Sequence, residues 1–183
     1  MIEEAIQVCN APVLTGRTSG NQPTLDPTLW DLRGMSVQQF ASYGRLTKLH
    51  GSVDWVRGKN RIHVGTPLFQ GRHERHAIIY PGFKGAPTDP LFQQLHRYFQ
   101  GRLGEADAVI FIGYAFRDEY INAILERDTP RQSQVVVLNP AERLPGIPYP
   151  GSRVLHVRRN FDAEGVAEVL ASLGEGNATA ESA

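Results

Sequence analysis

The sequence is poor in cysteine and has no long apolar run. Its 183 residues contain a single cysteine, Cys9, which excludes an intramolecular disulfide framework and a structural zinc site built from several thiolates. No stretch approaches the roughly 20 apolar residues that a membrane-spanning helix needs. The first residues, Met1-Ile2-Glu3-Glu4, lack the basic start and apolar core of a signal peptide. These absences predict a protein of the reducing cytoplasm.

A net charge is also lacking. Lys plus Arg and Asp plus Glu both number 19, so no global field attracts nucleic acid or an anionic membrane. A local anion site stays open, because backbone amides at a helix start bind phosphate without a charged side chain.

Composition divides the chain into three parts. Residues 10–44 are rich in proline, glycine and small polar residues, and are predicted to be a loop-rich insertion anchored by Trp30 and Leu32. The small, polar residues 174–183 predict a disordered tail. Residues 1–173 are therefore predicted to form one domain, which is long enough to have its own core.

Buried-type strands and amphipathic helices follow residue 44. The predicted strands are 45–50, 53–57, 60–64, a run from 76 that ends at Pro81, 106–115, 134–138 and 152–160. The strands 53–57 and 60–64 are predicted to pair as a hairpin across Gly58-Lys59. The predicted helices are 88–103, 117–128 and 162–173. This order predicts an α/β fold with a mainly parallel sheet and flanking helices.

Residues suited to a ligand follow four of these strands. In open parallel sheets, ligands bind beyond the carboxyl ends of the strands. The four segments are His50-Gly51-Ser52, Pro81-Gly82-Phe83-Lys84, Gly113-Tyr114-Ala115 and Asn139-Pro140. The sequence therefore predicts a ligand crevice at this edge of the sheet.

His50 is the candidate for proton transfer. A neutral imidazole accepts a proton from a hydroxyl or a water near physiological pH. The alternative is a partly buried histidine that donates to a carbonyl. His73 and His76 lie close in sequence but have no convincing third ligand, so no metal site is predicted.

Two further positions leave alternatives open. Gly113 ends a buried strand just before a helix, where it would let a ligand approach the backbone beside free helix-start amides. The alternative is an ordinary turn in which Gly113 only permits close packing. The amide of Asn139 suits a ribose hydroxyl pair or an adenine edge, whereas Asn-Pro is also a common turn starter.

Four motifs together resemble a known family. In chain order they are "KLHGSVDW", "IIYPGFKG", "ADAVIFIGYAFRDEYINAIL" and "VVVLNP". They resemble the zinc-free, sirtuin-like NAD-binding domains of bacteria, over about residues 1–8 and 45–140. The resemblance implies a Rossmann-like fold, NAD as ligand or substrate, and a fused or associated effector domain as a partner.

The resemblance also implies roles for individual residues. His50 matches the family's active-site histidine. The implied cofactor contacts are Gly51, Ser52, Gly113, Tyr114, Phe116 and, on the adenosine half, Asn139.

The sequence departs from the family pattern in two ways. Residues 53–76 occupy the place of the deacylases' four-cysteine zinc ribbon, which disfavours a protein deacylase and favours the relatives that hydrolyse NAD in antiviral defence. The family's Gly-Ala-Gly-type phosphate loop and Asn-Tyr-Asp-type motif have no counterpart. We therefore expect the C-terminal portion of such a domain, with a sheet incomplete at its N-terminus and little NAD binding or activity on its own. A non-catalytic nucleotide-binding or sensing module is the alternative.

Overall fold

The structure, a computed structural model, describes residues 13–30, 44–65, 75–79 and 85–180. Eight strands lie within these ranges: β1 (Val13–Leu14), β2 (Gly44–Arg45), β3 (Gly51–Arg57), β4 (Ile62–Val64), β5 (Arg75–Ile78), β6 (Ala108–Ile112), β7 (Gln134–Leu138) and β8 (Val154–Val157). The helices there are α1 (Pro90–Leu103), α2 (Glu119–Asp128) and α3 (Ala163–Ala180). Several predicted features lie outside the described residues: the 1–8 segment, Cys9, Leu32, His73 and Pro81-Gly82-Phe83-Lys84.

The described residues divide into two compact units. The first contains those up to residue 79 and 87–99, and the second contains 85–86 and 100–180. The single domain predicted over residues 1–173 stays a prediction. Each unit is therefore described by itself.

The first unit is built on an antiparallel sheet with strand order β4-β3-β5. The predicted hairpin across Gly58 is confirmed, with Arg57 opposite Ile62. β5 pairs with the other edge of β3 and is also antiparallel. The prediction of a mainly parallel sheet is therefore wrong for β5.

The core of the first unit lies between this sheet and α1. Its buried side chains are Leu25, Trp55, Ile62, Ala77, Phe92 and Leu95. The predicted helix 88–103 is confirmed as α1, and the Asp89 carboxylate caps it by accepting a hydrogen bond from the Leu91 amide at 2.9 Å. Leu25 anchors the described part of the 10–44 segment in this core, a role the sequence analysis gave to Trp30 and Leu32.

The predicted strand 45–50 is wrong. Only Gly44–Arg45 form β2, which pairs in parallel with β1, and residues 49–50 form a turn. The turn is closed by the Gly51 amide, which donates to the Lys48 carbonyl at 3.0 Å. His50 therefore precedes an antiparallel strand, so the rule that places ligands beyond parallel strand ends does not apply to it.

The second unit contains the parallel sheet, with strand order β6-β7-β8. Ile110 of β6 pairs with Val136 of β7, and Val136 pairs with Leu155 of β8. α2 connects β6 to β7 along the chain, and α3 packs on the sheet through Val169, which lies against Val136. The α/β prediction is confirmed for this unit.

Two predictions for the second unit need correction. β6 was predicted to be covered on both faces, yet Ile110 and Ile112 are 41% and 49% exposed. Within the described residues β6 is an edge strand, and the apolar contacts of α3 are to β7 and β8. The predicted tail from residue 174 is helical as far as Ala180, although Gly174, Gly176 and Asn177 have low helix propensity. No helix among the described residues has both the length and the apolar character to cross a membrane.

Candidate functional site

The predicted site residues lie in both compact units. His50, Gly51 and Ser52 belong to the first, whereas Gly113, Tyr114, Phe116 and Asn139 belong to the second. Their convergence on one crevice stays a prediction.

The turn that carries His50, residues 48–51, is held through three successive carbonyls. The Lys48 carbonyl accepts from Gly51, and the His50 carbonyl accepts from the Ile79 amide of the β5 segment at 2.8 Å. The Leu49 carbonyl lies 3.1 Å from Nε2 of His96, on α1. The backbone of this turn, referred to below as the His50 turn, is therefore fixed while the His50 side chain is exposed to solvent.

Position 51 requires glycine for two reasons, its left-handed backbone and its close approach to the backbone of β5. Its φ is +79°, a left-handed value that favours glycine. A Cβ added there would lie 2.0 Å from the Ala77 carbonyl oxygen of β5. The next residue, Ser52, accepts a hydrogen bond from Lys48 Nζ at 2.9 Å, so the predicted ligand contact of the Ser52 hydroxyl competes with a bond inside the protein.

Gly113 ends β6 in a different environment. Its φ is +63°, but no described atom lies within 4 Å of a Cβ added to it. Close packing therefore does not explain this glycine. The left-handed backbone does, and it leaves open space beside the carboxyl end of a parallel strand.

The start of α2 was predicted to offer free amides to a ligand, but its acidic residues disfavour an anion there. The Ile121 amide donates to the Asp118 carboxylate at 3.0 Å, and Glu119 follows in the first turn. An incoming phosphate would meet two carboxylates rather than free N–H groups. This helix start is therefore a poor pyrophosphate site.

Tyr114 and Phe116 belong to an aromatic cluster with Phe111 and Tyr149. The Phe116 ring centroid lies 5.0 Å from that of Phe111 and 4.8 Å from that of Tyr114. Phe116 is 3% exposed although its φ is +54°. A cofactor contact of Phe116 stays a prediction, and the ring's observed partners are aromatic side chains.

The Tyr114 hydroxyl is buried and has no hydrogen-bond partner among the described residues. Burial, followed by the negative charge of Asp118, raises the pKa of Tyr114 to about 12. The hydroxyl is therefore neutral near physiological pH and offers an unused donor.

Asn139 connects the ends of β6 and β7. Its side-chain NH₂ donates to the Tyr114 carbonyl at 3.3 Å, and its Oδ1 accepts from the Ala141 amide at 2.9 Å. This is the turn-forming role that the sequence analysis left as an alternative. Its contact with adenosine stays a prediction.

Three polar residues that hold these turns were missed. They are His96, Asn122, which donates to the Phe116 carbonyl at 2.8 Å, and His156, whose Nε2 lies 2.9 Å from the Asn139 carbonyl. His96 follows Phe92 by four residues on the apolar side of α1, a spacing that the sequence does display. Asn122 bonds a carbonyl only six residues before it, whereas His156 bonds one 17 residues away, for which no local signal exists.

Two carboxylates, those of Asp118 and Glu119, place negative charge at the start of α2 and oppose an anion there. Within the ranges the structure describes, no cluster of three metal-ligating side chains occurs.

Comparison of the chain with protein-family models and with curated proteins finds no match.

Proposed function

We propose that this chain carries part of a sirtuin-like, Rossmann-like NAD-binding domain, and that the intact domain hydrolyses the nicotinamide–ribose bond of NAD. The order of the four motifs supports the class. The three parallel strands of the second unit, with α2 and α3, are compatible with the fold.

The observation that carries the activity is an exposed imidazole on a fixed backbone. Nicotinamide leaves as a neutral ring, so the reaction needs no strong acid. The site must stabilise positive charge that develops on the ribose, and it must place a water at its face. His50 would take the proton from that water or from a ribose hydroxyl.

We propose that the nucleoside half of NAD contacts the second unit. The open space at Gly113 and the neutral hydroxyl of Tyr114 support a contact with a sugar or base. The acidic start of α2 leaves the pyrophosphate to the family's Gly-rich loop. We therefore expect turnover only from a form that includes such a loop.

The test is the hydrolysis of a fluorescent NAD analogue by the longest in-frame product of the gene. His50→Ala should lower the rate by about 10²–10⁴-fold, the usual effect of losing a positioned base, and should leave the fold intact because the side chain is exposed. His76→Ala is the matched control, since His76 is an exposed histidine of the same sheet. Unchanged turnover in His50→Ala would remove His50 from the mechanism.

Calorimetric titration with NAD separates the remaining possibilities. Binding without turnover by the long form would favour the nucleotide-sensing module. Micromolar affinity of the 183-residue chain alone would contradict the assignment of the pyrophosphate to a further loop.

A further inference from the structure

A second histidine lies beside the His50 turn. His96 is 3% exposed, on the face of α1 that packs against the core of the first unit. Its Nε2 lies 3.1 Å from the Leu49 carbonyl oxygen. The ring centroids of His96 and His50 are 6.4 Å apart.

The chemistry of this contact assigns the proton. A carbonyl oxygen only accepts, so His96 carries a hydrogen on Nε2 and donates it. The carbonyls of Lys48 and His50 accept from backbone amides, whereas the contact at Leu49 comes from a side chain. The His96 bond therefore connects the turn to α1.

Packing alone would not select histidine at this position. The neighbours of His96 along α1 on this face, Phe92 and Leu95, are buried and apolar. An aliphatic side chain would fill similar space without the cost of burying a polar ring. The imidazole is tolerated because it forms a hydrogen bond. The acceptor of that bond is the carbonyl of Leu49, the residue directly before His50.

We propose that His96 is a positioning residue, which fixes the peptide between Leu49 and His50 and so sets the direction of the His50 imidazole. Any effect on NAD cleavage rests on the function proposed above. The effect on the backbone does not.

The test compares His96→Leu, which removes the N–H, with His96→Gln, which places an amide N–H near the position of Nε2. The first measurement is amide hydrogen exchange by NMR at Gly51 and Ile79, whose amides bond the carbonyls of the turn. His96→Leu should accelerate their exchange at least about tenfold, and His96→Gln should restore most of the protection. The amides of Gly113 and Asn139, bonded in the second unit, are the internal control and should not change.

The second measurement is turnover of the NAD analogue by an active form. A misplaced general base lowers kcat by about 10–10²-fold while substrate binding is retained, so His96→Leu should reduce kcat with little change in KM, and His96→Gln should recover it. A purely structural defect would instead lower the amount of active protein and would not respond to the amide.

The outcomes distinguish a positioning role of His96 from a purely structural one. Unchanged exchange at Gly51 and Ile79 in a folded His96→Leu protein would overturn the proposal, and so would faster exchange that His96→Gln fails to correct. If His96→Leu does not fold, His96→Asn takes its place, because its shorter amide cannot reach Leu49, and the same exchange result is expected. If no form cleaves NAD, the proposed function fails and the exchange data still decide the role of His96.

Discussion

The two candidate turns both depend on a left-handed glycine, but for different reasons. Gly51 is pressed against the β5 backbone, with its missing Cβ only 2.0 Å from the Ala77 oxygen. Gly113 has a similar φ and no described atom within 4 Å of the same position. The first turn is held by the β5 segment and by the His96 side chain, whereas the Phe116 side chain is buried next to the second. The exposed group on the first turn is an imidazole, whereas no described atom lies beside Gly113 in the second.

The largest predicted loss of stability comes from replacing one of these two glycines by alanine. Gly51→Ala should cost more than about 5 kcal/mol, enough to unfold the first unit, because a backbone oxygen occupies the place of the new methyl group. Gly113→Ala should cost only about 1–2 kcal/mol, the penalty of a left-handed alanine. In urea unfolding, tryptophan fluorescence reports the first unit, which contains Trp30 and Trp55, and circular dichroism reports the second unit as well.

Equal losses in the two variants would contradict the comparison. They would mean that the left-handed conformation, rather than crowding against β5, determines both positions.

The next prediction compares two variants of Phe116, and it separates the cost of its left-handed backbone from the cost of losing its ring. Phe116→Ala should cost about 3–5 kcal/mol, because it removes a buried ring from the aromatic cluster. Phe116→Gly loses the same ring but tolerates the φ of +54°, so it should be about 1 kcal/mol more stable than the alanine variant. Thermal unfolding of the two variants measures the difference.

A glycine variant less stable than the alanine variant would show that Phe116 adopts an ordinary backbone conformation in solution. The turn after β6 would then owe its shape to something other than the packing of that ring.

Local signals in the sequence predicted the elements well and the pairing less well. The apolar stripe of α1, the Asp162 cap of α3 and the β3–β4 hairpin depend on neighbours within a few residues, and all are present. The start of α2 was instead predicted to have free amides, whereas Asp118 caps it. The failures involve partners far along the chain. The antiparallel pairing of β5 with β3 cannot be read from the apolar character of β5, because a buried strand looks the same in either direction.

The candidate site likewise contains some positions that local signals predict and others that depend on distant residues. The positions of Gly113 and Asn139 at strand ends were predictable, since glycine and Asn-Pro mark turns. The turn that precedes β3 was not, because the bonds that hold it come from Ile79 and His96, which lie far along the chain from "RLTKLH". The bond of His96 to the Leu49 carbonyl, 47 residues away in sequence, is likewise tertiary.

The smallest effect concerns two tyrosines of the aromatic cluster. The Tyr149 hydroxyl lies 2.8 Å from Thr129 Oγ1, whereas that of Tyr114 is buried with no hydrogen-bond partner among the described residues. At pH 8, Tyr149→Phe should cost about 1 kcal/mol, and Tyr114→Phe should be neutral or stabilise by up to about 1 kcal/mol. Denaturant unfolding of the two single variants measures this difference in sign.

Alkaline pH sharpens the test at Tyr114. Because the pKa of Tyr114 is raised from 10.0 to about 12 by burial and by Asp118, the unfolded chain loses this proton first as pH rises. The stability from the neutral hydroxyl is complete below about pH 10 and is lost as pH rises toward 12. The advantage of Tyr114→Phe over the wild type should therefore grow between pH 8 and pH 11, while the contribution of Tyr149 is common to both proteins and cancels. A constant difference, or a loss at pH 8 equal to that of Tyr149→Phe, would mean that the Tyr114 hydroxyl is hydrated or bonded in solution, and the unused donor beside Gly113 would no longer support a nucleoside contact.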